Sequence, residues 1–273
     1  MLSAAGLFAI TTSATWAQTA KSATDKPAAE KSAADTSAAG KAAAGQTAAG
    51  KAADKMAAPK AGADNTLTAK EKADGWKLLF DGKTTDGWRV YKKQGAPVGW
   101  QAVDGVLTRV ALEGDLITVD EYENFDLTID WKIPEGANSG IFFHGVEKDD
   151  GPIYYTAPEY QLLDDVRHPD SRNGPTHQCG ANYDLIAPAK KLCKPIGEWN
   201  TTRIVVRGPH VEHWLNGEKI VEYELWSDAW KQLVAKSKFR QWPDYGMAKT
   251  GHIAVQEHSF KVEFKNIKIK VLS

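Results

Sequence analysis

The sequence predicts an all-β fold, a two-layer antiparallel sandwich of the jelly-roll kind, and three observations predict it. From Gly75 onward, short runs rich in β-branched and aromatic residues alternate with turn formers. Asn216-Gly217 between Val211–Leu215 and Glu218–Tyr223 is a strong two-residue hairpin signal. Only Ser227–Lys236 has helical character, so no crossover helices are on offer to build a parallel sheet.

Taken in order, the predicted strands are Trp76–Phe80, Trp100–Val103, Val106–Val110, Phe125–Ile133, Gly140–His144, Glu159–Leu163, Thr202–Val206, Val211–Leu215, Glu218–Tyr223, Ile253–Glu257 and Phe260–Val271. Asp81-Gly82-Lys83, Asp104-Gly105, Pro134-Glu135-Gly136 and Gly208-Pro209 punctuate them, because Gly supplies positive φ and Pro fixes it near its turn value. Trp76, Trp88, Trp100 and Trp131 read as large core residues between sheets. Trp226, Trp230 and Trp242 fall in an irregular stretch where an exposed aromatic platform for a sugar ring is the second reading.

Composition divides the chain of 273 residues in two. From Gln18 to Lys72 it is nearly all Ala, Lys, Asp, Gly, Thr and Ser without an aromatic residue, whereas nine of the ten Trp lie beyond it. Loose repeats such as Gly40-Lys41-Ala42-Ala43 and Gly50-Lys51-Ala52-Ala53 carry no apolar stripe to dock, so residues 18–73 are expected to be a disordered low-complexity linker. Residues 1–17 are apolar and end in Thr15-Trp16-Ala17, the form of a secretory cleavage site, although the positive n-region is missing. A signal peptide is expected, and with it a periplasmic or secreted protein; a short apolar N-terminus is the plainer alternative. Residues 74–273 then form one domain. A formal net charge of −1 offers no excess of cations for phosphate neutralisation, which excludes a nucleic-acid partner, and no later apolar run approaches the ~20 residues that span a bilayer. Cys179 and Cys193 read either as a disulfide closing a loop or as two independent buried thiols.

Two of the strands carry polar residues where a buried strand would carry Val or Ile. Alternation puts Glu159 and Gln161 on one face, with Tyr160, Leu162 and Asp164 on the other. The same rule groups His252, Gln256 and His258 opposite Ile253 and Val255. Such a floor suits a ligand rich in hydroxyls.

Leu79-Phe80-Asp81-Gly82-Lys83, Gly87-Trp88, Trp100 with Asp104-Gly105-Val106-Leu107, Ala137-Asn138-Ser139-Gly140-Ile141-Phe142-Phe143, Glu159 to Asp164, Gly197-Glu198-Trp199-Asn200 with Arg203, Trp214-Leu215-Asn216-Gly217 and Gly251 to His258 follow one another in the chain. As a set they resemble the 3-keto-disaccharide hydrolase domain family over Asp74–Ser273. The resemblance implies a concanavalin A-like lectin/glucanase sandwich with the ligand on its concave face, and an exported enzyme cleaving sugars oxidised to a ketone at C3. The chain departs from the family pattern at Glu257, usually Asp, at Ser259, usually Gly, and at Cys179-Gly180-Ala181-Asn182-Tyr183-Asp184, a variant of a Gly-Ala-x-Tyr loop at the pocket rim.

A 3-keto group acidifies the hydrogen on C2, so one general base can start an elimination at C1, with hydration completing a net hydrolysis. Glu159 is the first candidate for that base; pairing with Arg203 or accepting sugar hydroxyls is the competing role. His258 is the candidate acid. Gln161, Gln256, Asn138, Arg203, His177 and Trp242 are candidate substrate-binding residues, with His144 a weaker one. No cofactor is certain; a divalent metal held by Glu159, His258 and a loop Asp is the optional one, without a compact ligand motif to support it. The alternative function is a non-catalytic carbohydrate-binding module on a tether, which the same fold would support.

Overall fold

The computed structural model describes residues 63–273; the expected signal peptide and most of the expected linker lie outside these. Thirteen strands form two antiparallel sheets. They are β1 (Trp76–Leu78), β2 (Trp88–Val90), β3 (Trp100–Val103), β4 (Val106–Arg109), β5 (Leu116–Thr118), β6 (Phe125–Lys132), β7 (Asn138–Gly145), β8 (Glu159–Leu163), β9 (Asn200–Arg207), β10 (His210–Leu215), β11 (Glu218–Glu224), β12 (His252–Val255) and β13 (Glu263–Val271). The larger sheet runs β11-β10-β9-β6-β13-β4-β3, with β1 on β13; the smaller runs β2-β5-β12-β7-β8. The protein is therefore a two-layer antiparallel β-sandwich.

Strand alternation explains the core. Phe125, Leu127, Ile129 and Trp131 of β6 point inward while Asp126, Thr128 and Asp130 point out, and Ile141, Phe143, Tyr160, Leu162, Ile253 and Val255 meet them from the smaller sheet. Each such side chain, fully removed from water, contributes ~1.5–3 kcal/mol. A bulge between Lys265 and Lys268 in β13 lets Ile267 and Ile269 join the core as well as Phe264. The smaller sheet is covered on its outer side too: Ile117, Phe142 and Ala254 pack under Ile153 and Ala157 from the connection before β8. That cover is why β7 and β8 are buried at every position.

The hairpin at Asn216-Gly217 forms, with both residues at positive φ as its turn requires. The predicted helix runs Asp228–Lys236 (α2), its N-cap Ser227 accepting from the Trp230 amide. The strands β2 and β5 were not anticipated, being three residues each.

The N-terminal boundary differs from the sequence expectation. Residues 64–73 dock on the sandwich rather than continuing a linker. The Asn65 amide N–H donates to Asn266 Oδ1 (2.6 Å), Asn65 Oδ1 accepts from the Asn266 N–H (2.9 Å), and Asn65 Nδ2 donates to Gly105 O (2.7 Å). Asp64 pairs with Lys265, and Glu71, in the short helix α1 (Ala69–Ala73), pairs with Lys268. Polar contacts do this work, so no apolar signal marks the segment.

Candidate active site

The outer face of the smaller sheet holds the candidate site. In β8, Tyr160 and Leu162 enter the core while Glu159 and Gln161 face outward, and β7 pairs Phe142 with Glu159 and Gly140 with Gln161. Gly140 is needed there, since a Cβ at this position would lie 2.3 Å from Glu159 Oε1. With its amide oriented to suit its neighbours, Gln161 Nε2 donates to Glu159 Oε1 (3.2 Å) and to Ser139 O (3.0 Å). Gln256 follows β12 and is stitched to the same spot: its N–H donates to Gly140 O (2.9 Å), and its carbonyl accepts from Ser139 Oγ (2.9 Å). Glu159, Gln161 and Gln256 therefore converge. Gln256 Oε1 is buried without a hydrogen-bond partner among the described residues.

The expected grouping of His258 with these residues on one strand face is corrected. The strand ends at Val255, so alternation stops before His258. Glu257 turns the chain there: its N–H donates to Asp115 Oδ1 (2.8 Å), and its Oε1 accepts from Arg109 Nε and from the Ser259 N–H (2.8 Å each). Ser259 has φ +66°, which explains why Gly is usual at this position. His258 is exposed, its ring 6.3 Å from that of His168. His252 is buried beside Glu121, across a bulge from Ala254.

Electrostatics single out Glu159. Only 4% of it is exposed, and burial pushes its carboxyl up to about 8, reinforced by the charges of Asp115 and Asp170 and opposed by Lys238. Asp115 is itself pushed up to about 6 by burial and by the Glu257 charge, against the lowering donation from the Glu257 N–H. A weakly acidic carboxyl beside an aspartate of intermediate acidity is a setting for proton transfer near neutral pH.

One wall of the site is a chain of polar contacts. The Tyr183 N–H donates to Glu159 O (3.0 Å), and its hydroxyl donates to Asp170 Oδ2 (2.9 Å). His177 bridges Asp170 Oδ1 and Asp184 Oδ1 at 3.1 Å each, and Asp184 Oδ2 accepts the Lys238 N–H (2.8 Å). Both ring nitrogens of His177 are thus engaged, making it a post of the wall instead of a free sugar ligand. Trp242 is likewise built in: half-buried, it stacks on Tyr155 at 4.3 Å and meets Tyr154 edge-on at 5.5 Å. Trp226 is half-buried as well and donates its indole N–H to Gly246 O (2.8 Å). Neither forms an open platform.

Behind this wall, Tyr223, Trp230, Tyr245 and Phe239 stack in succession, with centroids 5.4, 6.0 and 3.8 Å apart. The column runs from β11 to the 3-10 turn Lys238–Gln241.

Arg203 lies elsewhere. It sits on β9 of the larger sheet, forms a two-pronged ion pair with Asp126 (2.7 Å on each arm) and packs over Trp214, so it neither pairs with Glu159 nor reaches that face. Asn138 opens β7, opposite Leu163, and by alternation shares the face of Gly140. His144 is buried between Phe125 and Phe143, with Nε2 bonded to Glu123 O, and is structural. Cys179 and Cys193 are joined in a disulfide that ties the loop after β8 to the segment before β9. The optional metal set of Glu159, His258 and a loop Asp is not assembled: among the described residues the one three-ligand cluster is His210, Glu212 and Glu222, on the larger sheet, where Lys219 already pairs with both glutamates. Sequence reasoning missed Asp115, Asp170 and Lys238, which lie in loops and 3-10 turns without periodicity, and placed Tyr183 only in a loop of the family pattern.

Comparison with known proteins agrees with this architecture. Residues 75–270 match the family described as the 3-keto-alpha-glucoside-1,2-lyase-like domain. A Bacteroides thetaiotaomicron protein named 3-keto-disaccharide hydrolase is 39% identical over 238 residues, covering 76% of this chain and 82% of the relative. A crystal structure from Parabacteroides distasonis, named as a candidate glycosyl hydrolase, superposes with a TM-score of 0.72 at 40% identity, covering 77% of this chain and all of the other. A second candidate glycosyl hydrolase from that organism gives 0.57 at 32%, covering 72% and 99%. The chain belongs to the 3-keto-alpha-glucoside-1,2-lyase-like domain family.

Proposed function

We propose that this chain is an exported enzyme that cleaves 3-keto-glycosides, with Glu159 as the general base that removes the C2 proton. The names carried by its relatives supply the substrate class, and the observation that carries the chemistry is the buried Glu159 carboxyl with its affinity for protons raised to about 8. Such a base holds a proton strongly enough to take one from a carbon made acidic by an adjacent ketone, yet releases it near physiological pH. The C2–H bond breaks and its proton goes to Glu159. The electron pair forms the enolate of the 3-ketone, whose collapse forms the C1–C2 double bond and expels the C1 oxygen substituent, which takes up a proton. Water then adds at C1 to give the free 3-keto sugar; without that step the same residues act as a lyase. Gln161 holds the carboxyl in place, and Gln256 Oε1 offers an acceptor to a sugar hydroxyl.

The test is purified protein with a 3-keto-glucoside, its unoxidised parent, and Glu159→Gln, followed by NMR. We expect cleavage of the keto substrate alone, with kcat falling ~10²–10⁴-fold in Glu159→Gln and little change in substrate affinity. In the wild type, kcat/KM should rise with pH, reach half its maximum near pH 8 and level off above it as free Glu159 loses its proton. Rapid cleavage of the unoxidised parent would return the chemistry to a conventional glycosidase. Export is tested separately, by N-terminal sequencing of the protein recovered outside the cytoplasm.

A further inference from the structure

An enolate needs its negative charge received as well as its proton removed. Lys238 is placed for this. Its ammonium lies over the faces of Tyr183 (4.2 Å to the centroid), Phe239 (5.1 Å) and Tyr154 (5.7 Å). Ring faces hold a cation through their quadrupoles without neutralising it. Its backbone is fixed by Asp184, which closes the loop of contacts through His177, Asp170 and Tyr183 back to Glu159. Among the charged groups that act on Glu159, Asp115 and Asp170 are negative and Lys238 is the cation. Yet no salt bridge joins Lys238 to Glu159, and no carboxylate hydrogen-bonds its ammonium among the described residues. Lys238 thus stands on the ring of Tyr183, whose backbone N–H binds the Glu159 carbonyl, with its ammonium held by ring faces and left open to a polar atom of a ligand.

We propose that Lys238 binds the C3 ketone oxygen of the substrate and stabilises the enolate formed when Glu159 takes the C2 proton. The inference rests on the proposed function and adds to it the group that receives the charge. In that step the C2–H bonding pair becomes the C2–C3 double bond, the carbonyl π pair moves onto oxygen, and Lys238 meets that charge while keeping its own proton. No further reactant is required. A compact ammonium suits one oxygen that gains charge, and removing such a contact costs transition-state stabilisation more than ground-state binding.

The experiment isolates enolate formation by using 1,5-anhydro-3-keto-glucitol, which has no exocyclic leaving group at C1, and following exchange of its C2 hydrogen in D₂O by NMR. Wild type, Glu159→Gln, Lys238→Met and Lys238→Arg are compared, with Kd for the same ketone measured in parallel. We expect exchange in the wild type, a loss of ~10²-fold or more in Lys238→Met with Kd changed less than tenfold, and partial recovery in Lys238→Arg. A carboxyl-labelled glutamate titration of the ligand-free protein should show Glu159 holding its proton to higher pH in Lys238→Met, since Asp115 and Asp170 then act on it unopposed. Wild-type exchange with an equally fast Lys238→Met overturns the role of Lys238 and leaves that of Glu159 standing. Absence of exchange in the wild type overturns both.

Discussion

Glu159→Gln should stabilise the protein, by an amount that grows with pH. The folded state keeps a proton on Glu159 up to about pH 8, whereas the unfolded chain releases it near the ordinary value of 4.5. Between those limits the unfolded state binds fewer protons than the folded one, so stability falls as pH rises. At about 1.4 kcal/mol per pH unit the full window is worth on the order of 5 kcal/mol, comparable to the whole stability of many domains. Glutamine has the same shape and no charge to desolvate, so the variant escapes this loss. Asp115, pushed up to about 6, adds a dependence of the same sign that both proteins share, so it drops out of the difference apart from the action of its charge on Glu159. Urea denaturation followed by the fluorescence of the buried Trp100 and Trp131 is the assay. From about pH 5.5 to 7.5 the gap between variant and wild type should widen by roughly 3 kcal/mol. Parallel stability curves over that range would show that Glu159 ionises in the folded state much as in water, and the case for it as a poised base would collapse.

Two further outcomes follow from other parts of the molecule. His213, fully buried and held near pKa 4 by desolvation, stays neutral in the fold while the unfolded chain protonates below 6.5, so acidification from pH 6.5 to 4 should cost the wild type ~3 kcal/mol that His213→Phe does not lose; denaturation of both at the two pH values checks it. Asn65→Ala removes the hydrogen bonds to Gly105 and from the Asn266 N–H and should cost about 2–3 kcal/mol, whereas a melting temperature equal to wild type would show that the 64–73 segment adds nothing to the sandwich.

What could be read from the sequence divides along physical lines. Sheet layering and the facing of Glu159 and Gln161 were legible because a strand's period of two forces side chains to opposite faces. His258 was not, because that rule was carried past Val255 into a turn made by the ion pair of Glu257 with Arg109, a contact 148 residues distant in sequence. Arg203 was attractive as a partner for Glu159, but its neighbour is decided by register, which sets it opposite Thr128 of β6 with Asp126 on the diagonal of the same face. Lys238 and Asp115 carried no periodic signal: one lies in a 3-10 turn, the other just before a three-residue strand. Residues 64–73 looked like the preceding linker because they dock through amides and charges, and hydrophobic patterning is silent about those.

The stacked column of Tyr223, Trp230, Tyr245 and Phe239 gives the pocket a mechanical property. Residues 225–250 contribute no strand to either sheet, yet they carry one wall of the site. Their position is set by four rings riveted in series from an edge strand of the larger sheet, and Gly246 fits against them so closely that a Cβ would stand 2.5 Å from the Trp230 ring. Such a stack transmits displacement along its axis, because each ring can shift only by pushing the next. The tolerance on the ammonium of Lys238 is therefore fixed on the far sheet, where Tyr223 of β11 pairs with Val211 of β10, and a displaced β11 would misalign the pocket while both sheets stayed folded.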